Sequence, residues 1–208
     1  MINNELQKRI LSSIILLPLA YYFILAGSFY LIFFTIICFF ISIYEWNKMV
    51  KKNELKVLGT LFLIFSFYTF YEITNTDLWI FVLLICVSTD IGGYVFGKLF
   101  KGPKLTKISP NKTYSGVIGG YFLSLIFLSS FMSWINQTTS MEWFIVTMLI
   151  STVSQIGDIT ISYFKRLSKT KDTGKIIPGH GGLLDRIDGM IFAFPIFYLI
   201  ELTGYLLG

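Results

Sequence analysis

A polar segment of the chain concentrates residue types that bind metal ions and phosphates. The 27 residues from Ser162 to Asp188 hold six basic side chains, the only histidine and three aspartates, Asp172, Asp185 and Asp188. Hard cations such as Mg²⁺ prefer oxygen ligands and commonly share one or two carboxylates with substrate phosphates. Asp185 and Asp188 face the same way if a helix has begun there, because residues three apart are neighbours on a helix. The pattern predicts a metal and phosphate site, although a surface ion-pair cap at a helix start has the same spacing.

Glycines around the single histidine form a second feature of this segment. Gly179 precedes His180, and Gly181 and Gly182 follow it. Glycine lets the backbone bend tightly and approach a ligand closely. A lone histidine suits a general base or a structural hydrogen-bonding role, and without a second histidine no zinc site is indicated.

A second loop, residues 97–116, contains five lysines with glycines, prolines and hydroxyl side chains between them. Lysine binds phosphate as a point charge, and a glycine-rich backbone offers N–H groups to anions. A solvated loop explains the lysines alone. The compact run Ser109-Pro110-Asn111-Lys112-Thr113 favours a phosphate-binding role for Lys112.

The composition places these polar loops in an integral membrane protein. The chain is 54% hydrophobic and 14% charged, with a mean hydropathy of +0.70, whereas soluble domains carry about 25% charged residues. A membrane-crossing helix needs about 20 apolar residues. Seven segments come near that length: 10–26, 28–44, 57–72, 77–96, 117–135, 142–163 and 187–207. We therefore predict an all-α, polytopic helical bundle of about seven spans, a single membrane domain over 1–208 with N-terminal spans in 1–76 and catalytic spans and loops in 77–208.

Basic residues predict the orientation of the bundle, because they accumulate on the cytoplasmic side. With seven spans, all 17 lysines and arginines fall in the N-terminus and in segments 45–56, 97–116 and 164–186. This distribution predicts a cytoplasmic N-terminus and a C-terminus outside. The net charge of +5 is then explained by topology, with attraction to anionic lipid as a further contribution, and nucleic-acid binding is not indicated.

Two aspartates fall inside the predicted spans. Asp90 lies about 20 Å along the fourth span and Asp158 about 24 Å along the sixth, at 1.5 Å per residue, so both are expected at similar depth near the inner surface. Charged residues at membrane depth usually face a bundle interior or a water-filled cavity. The polar residues near Asp158 recur on one helix face. Helix packing explains such serines and glycines equally well, but it explains two aspartates at matched depth less well.

Seven short runs of residues give the chain a resemblance to a known family. Lys171-Asp172-Thr173-Gly174 and the run from Pro178 to Asp188, PGHGGLLDRID, are similar to the signature of phosphatidate cytidylyltransferases, also called CDP-diacylglycerol synthases. The similarity continues in Ser162 to Arg166, Ser88 to Tyr94, Ser109 to Thr113, Gly157-Asp158 and Glu45-Trp46. It covers roughly residues 45–195, and the chain is shorter than many members, which often have more N-terminal helices.

The resemblance implies that CTP and phosphatidate give CDP-diacylglycerol and pyrophosphate, with Mg²⁺ and room for a second cation. It implies a multi-pass enzyme of the inner membrane in contact with lipid, a site facing the cytoplasm, and a homodimer. By family analogy Asp172, Asp185 and Asp188 would carry the metal, and they would act with Asp158 and Lys165 in catalysis. Substrate binding would fall to Asp90, Lys112, Arg166, Lys171, His180, Gly181, Gly182 and Arg186.

Two other functions fit parts of the pattern. A CTP-dependent polyprenol or phytol kinase would use the same acidic and basic residues, but the GHGG-x-x-DR-x-D arrangement favours the cytidylyltransferase. A cation-coupled transporter would use Asp90 and Asp158, yet the sequence has no inverted repeat or paired broken helices.

Overall fold

The structure, a computed structural model, describes residue 14 and residues 18–76, 78–106, 108–179 and 181–204. Residues 18–26 are helical. The helices that follow are α1 Ser28–Met49, α2 Asn53–Ile73, α3 Leu78–Phe100, α4 Tyr114–Trp134, α5 Met141–Leu167, α6 Leu184–Ile187 and α7 Met190–Leu202. Within these ranges no strand forms, and β-type pairing is limited to two isolated bridges, Lys104 with Thr113 and Ile177 with Gly181. The predicted all-helical class is confirmed.

Five of the helices, α1 to α5, are long and apolar enough to cross a membrane, by length and composition. They correspond to five of the seven predicted segments. The first predicted segment, 10–26, lies partly outside the described residues. The last, 187–207, contains α7, an apolar helix of 13 residues with Pro195 inside it, shorter than the roughly 20 residues that a full crossing needs. The seven-span count and the orientation of the termini stay predictions.

The chain divides into two compact units. The first comprises Met1–Tyr71 and Phe164–Ile187, and the second comprises Glu72–Tyr163 and Asp188–Gly208. In the first unit, Trp46 near the end of α1 is buried. Its indole lies edge-on to Phe164 with ring centroids 4.8 Å apart, and its Nε1 donates to the carbonyl of Leu55 at 3.2 Å. The Phe164 contact holds the end of α1 beside the end of α5, and the hydrogen bond to Leu55 ties it to α2.

The second unit is held together by an aromatic core and by glycines. Phe81 is fully buried, and its ring centroid lies 5.4 Å from Phe131, 5.1 Å from Trp143 and 5.6 Å from Phe197. Where α3 meets α4, a Cβ on Gly92 would overlap the backbone of Gly119. The absence of side chains here lets the two backbones touch, which fixes the helices that carry Asp90 and lead out of the lysine loop.

Candidate active site

Asp185 organises the polar segment of the first unit. Its Oδ1 lies 2.7 Å from the Lys165 ammonium, while its Oδ2 accepts from the backbone N–H of Thr173 at 2.8 Å and of Gly182 at 3.2 Å. The Thr173 hydroxyl lies 3.1 Å from the same oxygen. One carboxylate therefore connects the end of α5 with two separate parts of the loop.

A second carboxylate, Glu45, supports the same loop from α1. Glu45 is fully buried. It accepts from the Leu183 and Leu184 amides, each at 3.0 Å, and from the Thr173 hydroxyl at 2.9 Å. These donors compensate the cost of removing a charge from water. Leu183 and Leu184 are at the start of α6, so Glu45 satisfies amides that have no partner within that short helix.

Three glycines give the loop room around these carboxylates. A Cβ on Gly174 would overlap the Glu45 side chain, and one on Gly182 would overlap both Glu45 and the Thr173 hydroxyl. Gly181 adopts φ 87°, a left-handed conformation that favours glycine. A Cβ there would lie 3.2 Å from Asp185 Oδ2 and 3.3 Å from Asp172. The glycine-rich turn therefore brings Asp172 and Asp185 to one place, with Asp172 exposed.

The second unit contains another lysine–carboxylate pair. Lys112 Nζ lies 2.5 Å from Asp158 Oδ2, and the two side chains keep 24% and 27% of their surface exposed. Lys112 also reaches the Gln155 carbonyl at 3.5 Å, and the Ser162 hydroxyl donates to Asp158 Oδ1 at 3.3 Å. This pair is more open than the pair of Lys165 and Asp185, whose side chains are 12% and 6% exposed.

A short turn positions Lys112 at the entry to α4. The Lys112 amide donates to Ser109, and its carbonyl accepts from Leu105. Thr113 caps the helix, because its hydroxyl accepts from the Gly116 amide at 3.1 Å. The compact Ser109 to Thr113 run thus forms a turn and helix start that direct Lys112 towards α5.

Two further predicted site residues of the second unit are the aspartates Asp90 and Asp188. Asp90 is exposed on α3 and interacts electrostatically with both Asp158 and Lys112. Asp188 is buried, and its Oδ1 accepts from the Gly189 amide at 2.9 Å. The backbone carbonyl of Asp188 packs against Gly157, since a Cβ on Gly157 would lie 2.6 Å from the carbonyl oxygen. The predicted association of Asp90 with Asp158 in one site stays a prediction.

The structure distributes the predicted site residues between the two units. Lys165, Arg166, Lys171, Asp172, Gly181, Gly182, Asp185 and Arg186 belong to the first, and Asp90, Lys112, Asp158 and Asp188 to the second. His180 lies outside the described residues. Among the described residues, no three His, Cys, Asp or Glu side chains come together as a ready metal site. The roles given to individual residues stay predictions.

The sequence did not identify Glu45 and Thr173 as site residues. Each was only one member of a motif that resembles the family. The Glu45 contacts with the loop span 128 to 139 residues of sequence, which no local pattern reveals. A carboxylate at the end of an apolar helix was the available signal, because such residues usually face a polar interior.

Comparison with known proteins identifies the class. Residues 55–203 match the cytidylyltransferase family. The chain is 34% identical to a phosphatidate cytidylyltransferase of Rickettsia felis, over 96% of this chain and 94% of that protein. It is 35% identical to the one of Rickettsia conorii, over 96% and 93%. For that of Staphylococcus aureus the identity is 37%, over 73% of this chain and 63% of that protein. The chain belongs to the cytidylyltransferase family and is a nucleotidyltransferase of phospholipid biosynthesis.

Proposed function

We propose that the protein transfers CMP from CTP to phosphatidate, giving CDP-diacylglycerol and pyrophosphate in a Mg²⁺-dependent reaction. The observation that carries the proposal is the loop of the first unit. There, Lys165 pairs with Asp185, the glycine turn lies next to Asp172, and Glu45 accepts hydrogen bonds from the same loop. The named relatives, which align with 96% of the chain, support the choice of acceptor.

In the proposed reaction, a phosphate oxygen of phosphatidate forms a bond to the α-phosphorus of CTP. The bond from that phosphorus to the oxygen bridging the α- and β-phosphates breaks, and pyrophosphate leaves with the electron pair. Such transfers depend mainly on positioning and on neutralising charge. Lys165, Lys171, Arg166 and Arg186 would bind phosphates on the first unit, and Lys112 would do so on the second. Each paired lysine can exchange its carboxylate for a phosphate, since both are oxyanions.

The carboxylates fit a divalent cation by their chemistry. Mg²⁺ takes oxygen ligands and usually one or two carboxylates together with substrate phosphates. Asp172 is exposed and lies beside Gly181, so an arriving cation can reach it. Asp172 and Asp185 of the first unit would hold the ion, which when bound would neutralise negative charge on the phosphates, and Asp188 stays a ligand predicted from the family resemblance. Both oxygens of Asp185 already accept hydrogen bonds, but Oδ1 has the Lys165 ammonium as its partner and keeps a second lone pair for a cation.

The proposal includes the setting of the reaction. A site on the cytoplasmic face of the inner membrane would meet CTP from the cytoplasm and phosphatidate from the lipid. The positive-inside distribution of the 17 basic residues supports that orientation. Seven spans and a homodimer are further parts of the proposal.

Purified protein in lipid–detergent micelles tests the reaction directly. We expect pyrophosphate release only when CTP, phosphatidate and Mg²⁺ are all present, and we expect EDTA to abolish it. Replacing phosphatidate by a polyprenol or by phytol tests the kinase alternative. Turnover with either alcohol and none with phosphatidate would overturn the proposal.

A further inference from the structure

We propose that Glu45 is a positioning residue for the reaction: it sets the geometry of Lys165 and Asp185 through Thr173 and the start of α6. This inference rests on the proposed function. Glu45 lies on α1, more than a hundred residues before the loop that it contacts, and it is fully buried. It belongs to no group of residues that sequence motifs assign to metal or substrate.

The contacts of Glu45 are divided between its two oxygens. Oε1 accepts from the Leu183 amide, and Oε2 accepts from the Leu184 amide and the Thr173 hydroxyl. Leu184 directly precedes Asp185, while Thr173 donates its amide to Asp185 Oδ2. Glu45 therefore holds the chain on both sides of the Asp185 carboxylate. A shift of Glu45 would be passed to Asp185 and from there to the Lys165 ammonium, 2.7 Å away.

The Thr173 hydroxyl links the two carboxylates more directly. Its oxygen lies 2.9 Å from Glu45 Oε2 and 3.1 Å from Asp185 Oδ2. A hydroxyl has one hydrogen to donate, so the two carboxylates compete for it. When Asp185 turns towards a cation or exchanges its partners, Glu45 retains Thr173 and keeps the loop in place. Gly174 and Gly182 pack directly against Glu45, because a Cβ on either would overlap its side chain.

Glu45→Gln tests this role with little change in shape. A carboxylate accepts from all three donors, whereas an amide has one acceptor oxygen and turns its NH₂ towards a backbone N–H. We expect the KM for CTP to rise about tenfold, while the KM for phosphatidate stays within about twofold. A smaller folded fraction would lower only the apparent kcat, so the rise in KM separates positioning from loss of fold. Glu54→Gln, the same change at an exposed position of α2, is the matched control and should behave as wild type.

Thr173 supplies an independent pair of variants. Thr173→Ser keeps the hydroxyl and should stay near wild type, whereas Thr173→Val should raise the KM for CTP in the same direction as Glu45→Gln. The double variant Glu45→Gln/Thr173→Val should be no worse than Glu45→Gln alone, since both break one linkage. An unchanged KM for CTP in folded Glu45→Gln would overturn the inference. If that variant does not fold, equal KM values for Thr173→Val and Thr173→Ser would overturn it instead.

The wild-type protein in the same assay separates this inference from the function on which it rests. If wild type makes no CDP-diacylglycerol from CTP and phosphatidate, the proposed function fails. If wild type makes the product and none of the variants changes the KM for CTP, the function stands and the positioning role fails.

Discussion

The two lysine–carboxylate pairs of this protein have similar chemistry and different surroundings. Asp185 has a lysine on one oxygen and backbone amides on the other, with 6% of its side chain exposed. Asp158 has Lys112 and a serine hydroxyl, with 27% exposed. The Asp185 carboxylate holds parts of its loop together by hydrogen bonds, whereas Asp158 belongs to a partly exposed ion pair on a helix. If both carboxylates act in the proposed reaction, we expect loss of Asp185 to reduce stability and turnover together and loss of Asp158 to reduce turnover alone.

Asp185→Asn should have the largest effect. It removes the charge partner of Lys165 and weakens three hydrogen bonds to Oδ2, so we expect CTP turnover to be lost. We also expect the loop to lose about 3 kcal/mol of stability, as buried pairs do when one partner is removed. Hydrogen exchange followed by mass spectrometry measures the second effect, through faster exchange of the Thr173 and Gly182 amides. Membrane insertion should be unchanged, and normal turnover would contradict the assignment.

Asp158→Asn should reduce turnover about a hundredfold, a change of about 2.7 kcal/mol in the activation free energy. The stability should change by less than about 1 kcal/mol, because a partly exposed ion pair contributes little. Thermal unfolding in detergent and kcat, measured on the same preparation, check both parts. Ser162→Ala is the control, since it removes the other hydrogen bond of Asp158 and leaves its charge.

If Asp158→Asn destabilises the protein as much as Asp185→Asn does, the distinction between a structural role for Asp185 and a partly exposed ion pair at Asp158 is wrong.

Gly92→Ala should destabilise the second unit by about 2 kcal/mol, because its Cβ would overlap the backbone of Gly119. The neighbouring Gly93→Ala is the matched control. Its Cβ would lie 3.8 Å from the nearest atom, the Gly116 carbonyl oxygen, and alanine favours a helix. Thermal unfolding should separate the two variants clearly. Equal unfolding temperatures would show that α3 and α4 do not depend on this backbone contact.

Lys171→Ala should have the smallest effect. Lys171 is exposed, so its attraction for the triphosphate is screened by salt. We expect the KM for CTP to rise about threefold at low salt, a change of about 0.6 kcal/mol. The difference from wild type should disappear at high ionic strength. Lys51→Ala, at an exposed position outside the loop, should leave the KM unchanged at both salt concentrations.

Much of the fold was predictable because apolar length and helix formation are local properties. The segments 28–44, 57–72, 77–96, 117–135 and 142–163 all lie largely within helices of the structure. The end of the chain was less predictable. The polar turn at Asp188 and Gly189 separates α6 from α7, so the helix in the last predicted span begins at Met190 and not at residue 187.

The candidate site was predictable in its residues and not in its connections. The motifs identified Asp185, Lys165, Asp158 and Lys112, because carboxylates and lysines stand out in an apolar chain. The pairing of Lys112 with Asp158, 46 positions later, depends on how α4 and α5 pack. The hydrogen bonds from the loop to Glu45 also depend on tertiary contacts. The need for glycine at Gly174 and Gly182 follows from the same contacts, because a Cβ on either would overlap Glu45.

The fate of two labels in one CTP molecule tests the central claim most directly. CTP carrying ³H in cytosine and ³²P in the γ-phosphate is incubated with the protein, phosphatidate and Mg²⁺, and the lipid is extracted. We expect ³H in the lipid and ³²P in pyrophosphate, in equal molar amounts. Lipid that carries ³²P and no ³H would contradict it, because that result is phosphoryl transfer by a kinase.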